Sequence, residues 1–403
     1  MNNYIAIAPK EKKLLKKNLL TYGKILLIAG LLLLLFTQKP TIKTNSLSKQ
    51  DTSVEVNTIL GAYDEFLINE KVHAYIDTMT IEEKVGQLFI ISFTGTTLKD
   101  ELKNLIQEYS IEGVVILGNN IVSQSQLQQL ISDIQNSASY GVLVATDQEG
   151  GTVARIPWDS AKGISQQHIG IVNRDDFAYH TGISHAQSLK SSNIHINFAP
   201  VLDVVLDTQS PLMSRSFSSN PDEVSDLGRQ IIQAHHNENV MVAVKHFPGL
   251  GRTKIDTHTD LPQIQLSYDT LLNNELEPFK MAIEQDVEAI MIGHALYPEI
   301  DNEYPASLSR KFMNDILRED LGYEGIIITD DIRMDALNGY DHRALKAFQA
   351  GADMILVVDS YTAIISQIND ITLAVTTGEI SYERLDESVE RILRLKYEQG
   401  IIE

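Results

Sequence analysis

Val244-Lys245-His246-Phe247-Pro248-Gly249-Leu250-Gly251, continued by Asp256-Thr257-His258, decides how this chain is read. The apolar run Val240–Lys245 ends in a lysine and a histidine and gives way to a glycine-rich loop. Burying an unpaired charge is costly, so a cation closing such a run needs partners around it. Ionisable residues at the carboxyl ends of strands are where α/β barrels keep their chemistry. Asp256 and His258 can face one point from a short loop, where a carboxylate orients an imidazole and raises its basicity. The stretch predicts a catalytic loop hung from a parallel strand, with Gly249 and Gly251 allowing that loop to move.

Seven other short apolar runs share the strand's character: Leu88–Ser92, Gly113–Leu117, Val142–Thr146, His195–Ala199, Ala289–Gly293, Gly325–Thr329 and Met354–Val358. Helical patterns follow them, among them Ser123–Ser137, Asp222–Asn237 and Leu308–Glu319, and Thr80-Ile81-Glu82-Glu83 has the form of a capping box. Eight apolar strands alternating with helices predict a parallel sheet covered on both faces. The count and the length favour an α/β fold of one (β/α)8 barrel over residues 71–403. No G-x-G-x-x-G follows the first strand, which argues against a dinucleotide-binding sheet. Beyond the eighth strand only the helical segments Tyr361–Thr376 and Tyr382–Gln399 remain.

The formal charge of the 403 residues is −21, and it is uneven. Residues 1–40 hold seven lysines and one glutamate, a net +6, which leaves −27 on the rest. So acidic a body is a poor partner for nucleic acid. The absence of cysteine excludes disulfides, thiolate metal sites, a cysteine nucleophile and a lipid-modified N-terminal cysteine. Lys10, Lys12, Lys13, Lys16, Lys17 and Lys24 precede the apolar stretch Ile25–Phe36, the order of a secretion signal or signal anchor. No small-residue cleavage site follows Phe36. A retained membrane anchor over residues 1–36 is therefore expected, its N-terminus cytoplasmic and the barrel outside, or secretion if the segment is cleaved. Residues 37–70, rich in Ser, Thr, Asn and Gln, read as an extracytoplasmic linker.

The expected strand ends gather chemistry in order. Strand three runs into Asp147-Gln148-Glu149-Gly150-Gly151, with Arg155 beyond, and strand four leads to Asp203 and then Arg215. Strand five delivers Lys245 and His246, strand six His294, and strand seven Thr329-Asp330-Asp331. Singly, Asp203 reads equally as a cap, Arg155 and Arg215 as rim ion pairs, His294 as a core histidine and Glu149 as an organiser of its turn. Asp331 reads as support for its neighbour. For Lys245, His246 and Asp330 a purely structural explanation is the weaker one.

These motifs together (Lys245-His246-Phe247-Pro248-Gly249-x-Gly251, Asp256-x-His258, Thr329-Asp330 and Asp147-x-Glu149-Gly150-Gly151) resemble glycoside hydrolase family 3. More narrowly they resemble its β-N-acetylhexosaminidase branch, over nearly all of residues 75–400. The resemblance implies a nucleophile at Asp330 and a general acid and base at His258, oriented by Asp256. It places Asp147, Arg215, Lys245 and His246 on the sugar, with Arg155 and Asp203 in support, and implies neither cofactor nor metal. One position departs from the family pattern, Leu250, where a histidine is usual.

The implied activity is retaining release of terminal N-acetylglucosamine from peptidoglycan fragments, with chitin-derived oligosaccharides second. The implied partners are thus a carbohydrate and, through the anchor, a membrane. Four alternatives stay open: a β-glucosidase or β-xylosidase, a phosphorolytic member, a metal-dependent barrel hydrolase using His246, His258, His294 and Asp330, and a non-catalytic cell-wall-binding protein. The metal reading is weakened because the first strand lacks an H-x-H pair.

Overall fold

Ile326, Ile327 and Ile328 are at most 2 % exposed on consecutive positions, so both faces of their strand are covered. Each such side chain contributes about 1.5–3 kcal/mol on burial, and the other strands of the sheet are buried in the same way. The computed structural model describes residues 49–403. They form strands β1 (Phe89–Ser92), β2 (Gly113–Val115), β3 (Leu143–Thr146), β4 (Gln148–Gly150), β5 (Val153–Ala154), β6 (Ile196–Asn197), β7 (Met241–Phe247), β8 (Ala289–Ile292), β9 (Ile326–Thr329) and β10 (Ile355–Val357).

Eight of these make one sheet in the order β10-β1-β2-β3-β6-β7-β8-β9, with every neighbouring pair parallel. The remaining gap is bridged where Ile328 meets Met354 and Thr329 N donates to Met354 O at 3.1 Å. All eight expected strands are present, and the fold is the α/β barrel. The antiparallel β4–β5 hairpin between β3 and β6 is an addition that the sequence reading lacked.

The helices follow the local signals. Thr80 N donates to Glu83 Oε2 at 2.8 Å and Glu83 N to Thr80 Oγ1 at 3.2 Å, the reciprocal box expected there. Ser123 caps the helix Gln124–Ser137, Asn220 caps Pro221–Asn237, and the closing helices are Tyr361–Thr376 and Tyr382–Glu398. The helix expected at Leu308–Glu319 forms over Lys311–Asp320 with wider, π-type turns.

Of the expected linker, residues 37–70, the part before Lys49 lies outside the described residues; Lys49–Thr78 is helical, and Glu65–Glu403 is one compact unit. Within that unit, Val72, Ile76 and Met79 are buried and Ile68 and Tyr75 pack beside them. That spacing is a helical stripe, which the polar residues upstream obscure. The expected anchor, residues 1–36, lies outside the described residues. Among the described residues no helix is long and apolar enough to cross a membrane.

At the amino ends of the strands the barrel is sealed by buried charge. Lys396 Nζ lies 2.6 Å from Glu112 Oε2 and donates to Gln87 Oε1 at 2.8 Å and to the carbonyl of Gly141 at 3.0 Å. Burial pushes the Glu112 carboxyl up to about 7 against the pull of Lys396. Nearby, Asp353 accepts from Arg318, from Ser388 at 2.6 Å and from Arg391 at 3.1 Å. Both clusters tie the C-terminal helix to the strands.

Candidate active site

At the carboxyl end of β7 the Lys245 side chain is 3 % exposed, and its Nζ sits 2.7 Å from both Asp147 Oδ1 and Glu149 Oε1. Burial alone would lower the ammonium pKa; the two carboxylates outweigh it and raise it. Arg215 grips Glu149 in a bidentate pair, Nε to Oε2 and Nη2 to Oε1, both at 2.8 Å. Arg155 reaches Asp147 Oδ2 at 3.5 Å, and its buried Nε has no partner. Asp147 and Glu149 are both held below the usual carboxylate range, burial pushing up and Lys245 pulling down with Arg215 behind it.

Asp330, at the end of β9, is 8 % exposed. Burial pushes its carboxyl up, but His246, His294 and Lys245 and the Asp331 N–H (2.8 Å to Oδ1) bring it below its ordinary value. Asp331 behaves oppositely: burial first, and its charged neighbour Asp330, lift it to about 6 although the Arg333 and Val358 N–H groups donate to it. One carboxylate is held ionised beside one that titrates near neutrality. Such separation of neighbouring groups is what proton and nucleophile chemistry require.

The Asp256–His258 pair stands in the loop after β7. His258 Nδ1 lies 2.7 Å from Asp256 Oδ1, which also accepts the His258 N–H at 2.9 Å. The imidazole is 63 % exposed, with the ring nitrogen remote from Asp256 free for a ligand. The loop is tied at its base: Leu206 N donates to Gly251 O at 3.1 Å, Arg252 pairs with Glu275, and Ala336 N donates to Thr257 O at 3.1 Å. Both glycines are required by this pose: a Cβ on Gly251 would fall 1.9 Å from Val204 O, and Gly249 has φ +128°.

A cavity of about 480 Å³ opens between these elements, a size suited to a small ligand. Asp147, Arg155, Arg215, Lys245, His246, Asp256, His258 and Asp330 all line it. Its upper wall is aliphatic, including Pro211, Leu212, Ile255 and Val358. Asp203 is fully buried and off the cavity lining, where one carboxylate oxygen accepts His246 Nδ1 at 2.7 Å and His246 N at 3.1 Å, while the other accepts Leu250 N. The residue holds His246 and the backbone of the loop after it. His294 is likewise a core residue, bonded to Ser307 Oγ (2.6 Å) and Asp331 O (2.9 Å). His294 is thus already bonded through both ring nitrogens, which counts against the alternative in which it shares an ion with His246, His258 and Asp330.

Residues 80–395 match the model of the glycosyl hydrolase family 3 N-terminal domain. The chain belongs to glycosyl hydrolase family 3. Its named family 3 relatives lie in the β-N-acetylhexosaminidase branch. It is 31 % identical over 335 residues to beta-hexosaminidase A of Pseudoalteromonas piscicida, covering 75 % of this chain and 56 % of that one. It is 30 % identical over 318 residues to a beta-hexosaminidase of Nitrosomonas eutropha, covering 76 % and 91 %. The family 3 beta-N-acetylglucosaminidase of Paenibacillus sp. str. FPU-7 superposes with a TM-score of 0.78 at 32 % identity, over 80 % of this chain and 63 % of that one. The chain thus spans little more than half of the Pseudoalteromonas relative and under two thirds of the Paenibacillus one. Leu250, the departure from the family pattern, is 5 % exposed in the cavity wall, packed toward Gly293.

Proposed function

We propose that this chain is a retaining β-N-acetylhexosaminidase. One observation carries the reading: Asp330, buried and ionised, shares a cavity with an exposed histidine backed by a carboxylate and with the cations Lys245, Arg215 and Arg155. Asp330 attacks the anomeric carbon while His258 protonates the leaving oxygen. Water, deprotonated by the same imidazole, then releases the sugar with its configuration kept. Asp256 fixes the tautomer of His258. Asp147, Arg155, Arg215, Lys245 and His246 hold the sugar hydroxyls.

Exposed aliphatic side chains, Ile255 and Val358, stand at the cavity, and Phe198, the one Phe, Tyr or Trp among its described lining residues, is 1 % exposed. The substrate class we favour is a peptidoglycan fragment, whose next sugar would meet this aliphatic rim and not a phenyl or indole face. An extracytoplasmic location is part of this proposal, and a relative of Arthroderma benhamiae is named a secreted glycosyl hydrolase.

The test is turnover of aryl β-glycosides of N-acetylglucosamine, N-acetylgalactosamine, glucose and xylose, with and without phosphate. Fastest release from the N-acetylglucosaminide, unaffected by phosphate, is expected. Faster turnover of the glucoside or xyloside, or a sugar phosphate as product, overturns the reading.

A further inference from the structure

Strand alternation sorts the residues after β3. Gln148 turns into the protein, where its Nε2 donates to Asp159 Oδ2 at 2.6 Å and its Oε1 accepts Ile156 N at 3.0 Å. Asp147 and Glu149, two positions apart, emerge on the other side, as strand geometry requires. The hairpin backbone has no slack, since a Cβ on Gly150 would fall 2.1 Å from Ile164 O. Asp147 and Glu149 then diverge in use. Asp147 lines the cavity; Glu149 does not, its side chain is 1 % exposed, and both its oxygens are spent on Lys245 and Arg215.

Those two cations come from separate elements, β7 and the loop after β6, and repel each other. A buried carboxylate accepting from both, once in bidentate form, fixes their spacing and orientation. We propose that Glu149 is a positioning residue, which never touches the sugar but locks Lys245 and Arg215 into one rigid grip and keeps Lys245 protonated. The role rests on the site assignment above. Asp147 and Arg215 act on Lys245 from the end of β3 and the loop after β6, Asp330 lies within its field at the end of β9, and Arg155 and His246 act on those two carboxylates. Of the carboxylates among them, Asp147 and Glu149 lie in direct contact with the amine. Losing one lowers the proton affinity of the buried amine, and its titration moves to lower pH.

Glu149→Gln removes the charge and keeps the shape. Glu149→Asp keeps the charge and shortens the reach. The expected result for Glu149→Gln is a KM raised at least tenfold on the aryl N-acetylglucosaminide, with kcat changed far less. For Glu149→Asp the expected result is a smaller rise in KM. An NMR titration of 13C-labelled lysine, with Lys245 assigned through Lys245→Arg, reads the contact without turnover: the Lys245 titration moves downward in Glu149→Gln and stays near its wild-type place in Glu149→Asp. A Lys245 titration identical in wild type and Glu149→Gln overturns the proposal, as does an unchanged KM while kcat and melting temperature fall together. A wild-type protein inert on every glycoside would sink the hexosaminidase reading alone, because the lysine titration still decides on Glu149.

Discussion

At the amino ends of the strands Lys396 Nζ is sealed among Glu112, Gln87 and a backbone carbonyl, whereas at the carboxyl ends Lys245, almost as buried, forms part of a cavity wall. Both lysines are paired with acids at 2.7 Å or less. Their surroundings push in opposite directions. Burial dominates at Lys396 and lowers its pKa, while two carboxylates dominate at Lys245 and raise it. The same residue type thus fastens a helix at one end of the barrel and is kept as a permanent cation at the other. The lower end uses charge for cohesion; on the function proposed above, the upper end uses it for binding.

If that division holds, substitutions at the two ends affect different measurements. The largest effect belongs to Asp330→Asn: turnover of the aryl N-acetylglucosaminide falls about ten-thousand-fold or more, with an unchanged melting temperature. A large drop in melting temperature would erase the contrast between the ends. Next, His258→Ala slows substrates with poor leaving groups by about a hundred- to ten-thousand-fold and activated ones far less. Equal losses on both would remove the histidine from the acid role.

At the lower end, Lys396→Met leaves Glu112 buried without its cation and costs about 3–5 kcal/mol in urea unfolding, with kcat/KM of the folded protein preserved. A fall in kcat/KM would show that the two ends communicate. The pH response sharpens this further. The Glu112 carboxyl is lifted from 4.5 to about 7, so the folded state holds its proton more tightly than the unfolded chain. Its stabilising contribution is complete below pH 4.5 and is lost as pH rises through 7. Denaturant unfolding at both extremes should show wild type losing on the order of 3 kcal/mol relative to Glu112→Gln; parallel curves would count against a titrating Glu112.

The eight barrel strands were legible because their apolar runs are continuous and regularly spaced, and the capping box at Thr80 was legible as a local pattern. The hairpin of β4 and β5 escaped because strands of three and two residues carry no measurable period. The helix Lys49–Thr78 escaped because its packing stripe is confined to the last turns beneath a polar composition. At the site, eight of the nine expected residues (Asp147, Arg155, Arg215, Lys245, His246, Asp256, His258 and Asp330) line the cavity. What Asp203 touches was not legible, because a carboxylate after a strand looks the same in sequence whether it faces a cavity or, as here, a neighbouring backbone and imidazole. Glu149 was read only as an organiser of its turn, although its position two residues from Asp147 places it on the same side of the strand. Long-range pairing decided both, and local pattern does not encode it.

The β1–β10 ladder has a kinetic corollary. Phe89 pairs with Ile355, so the first barrel strand waits through more than two hundred and sixty intervening residues for its neighbour. Lys396 arrives later still to neutralise Glu112. While the chain leaves the ribosome, its early strands stand with an open edge and a lone buried-to-be acid. Ring closure therefore needs a pairing that cannot form until the last strand has been made, a long-range contact of the kind that slows folding.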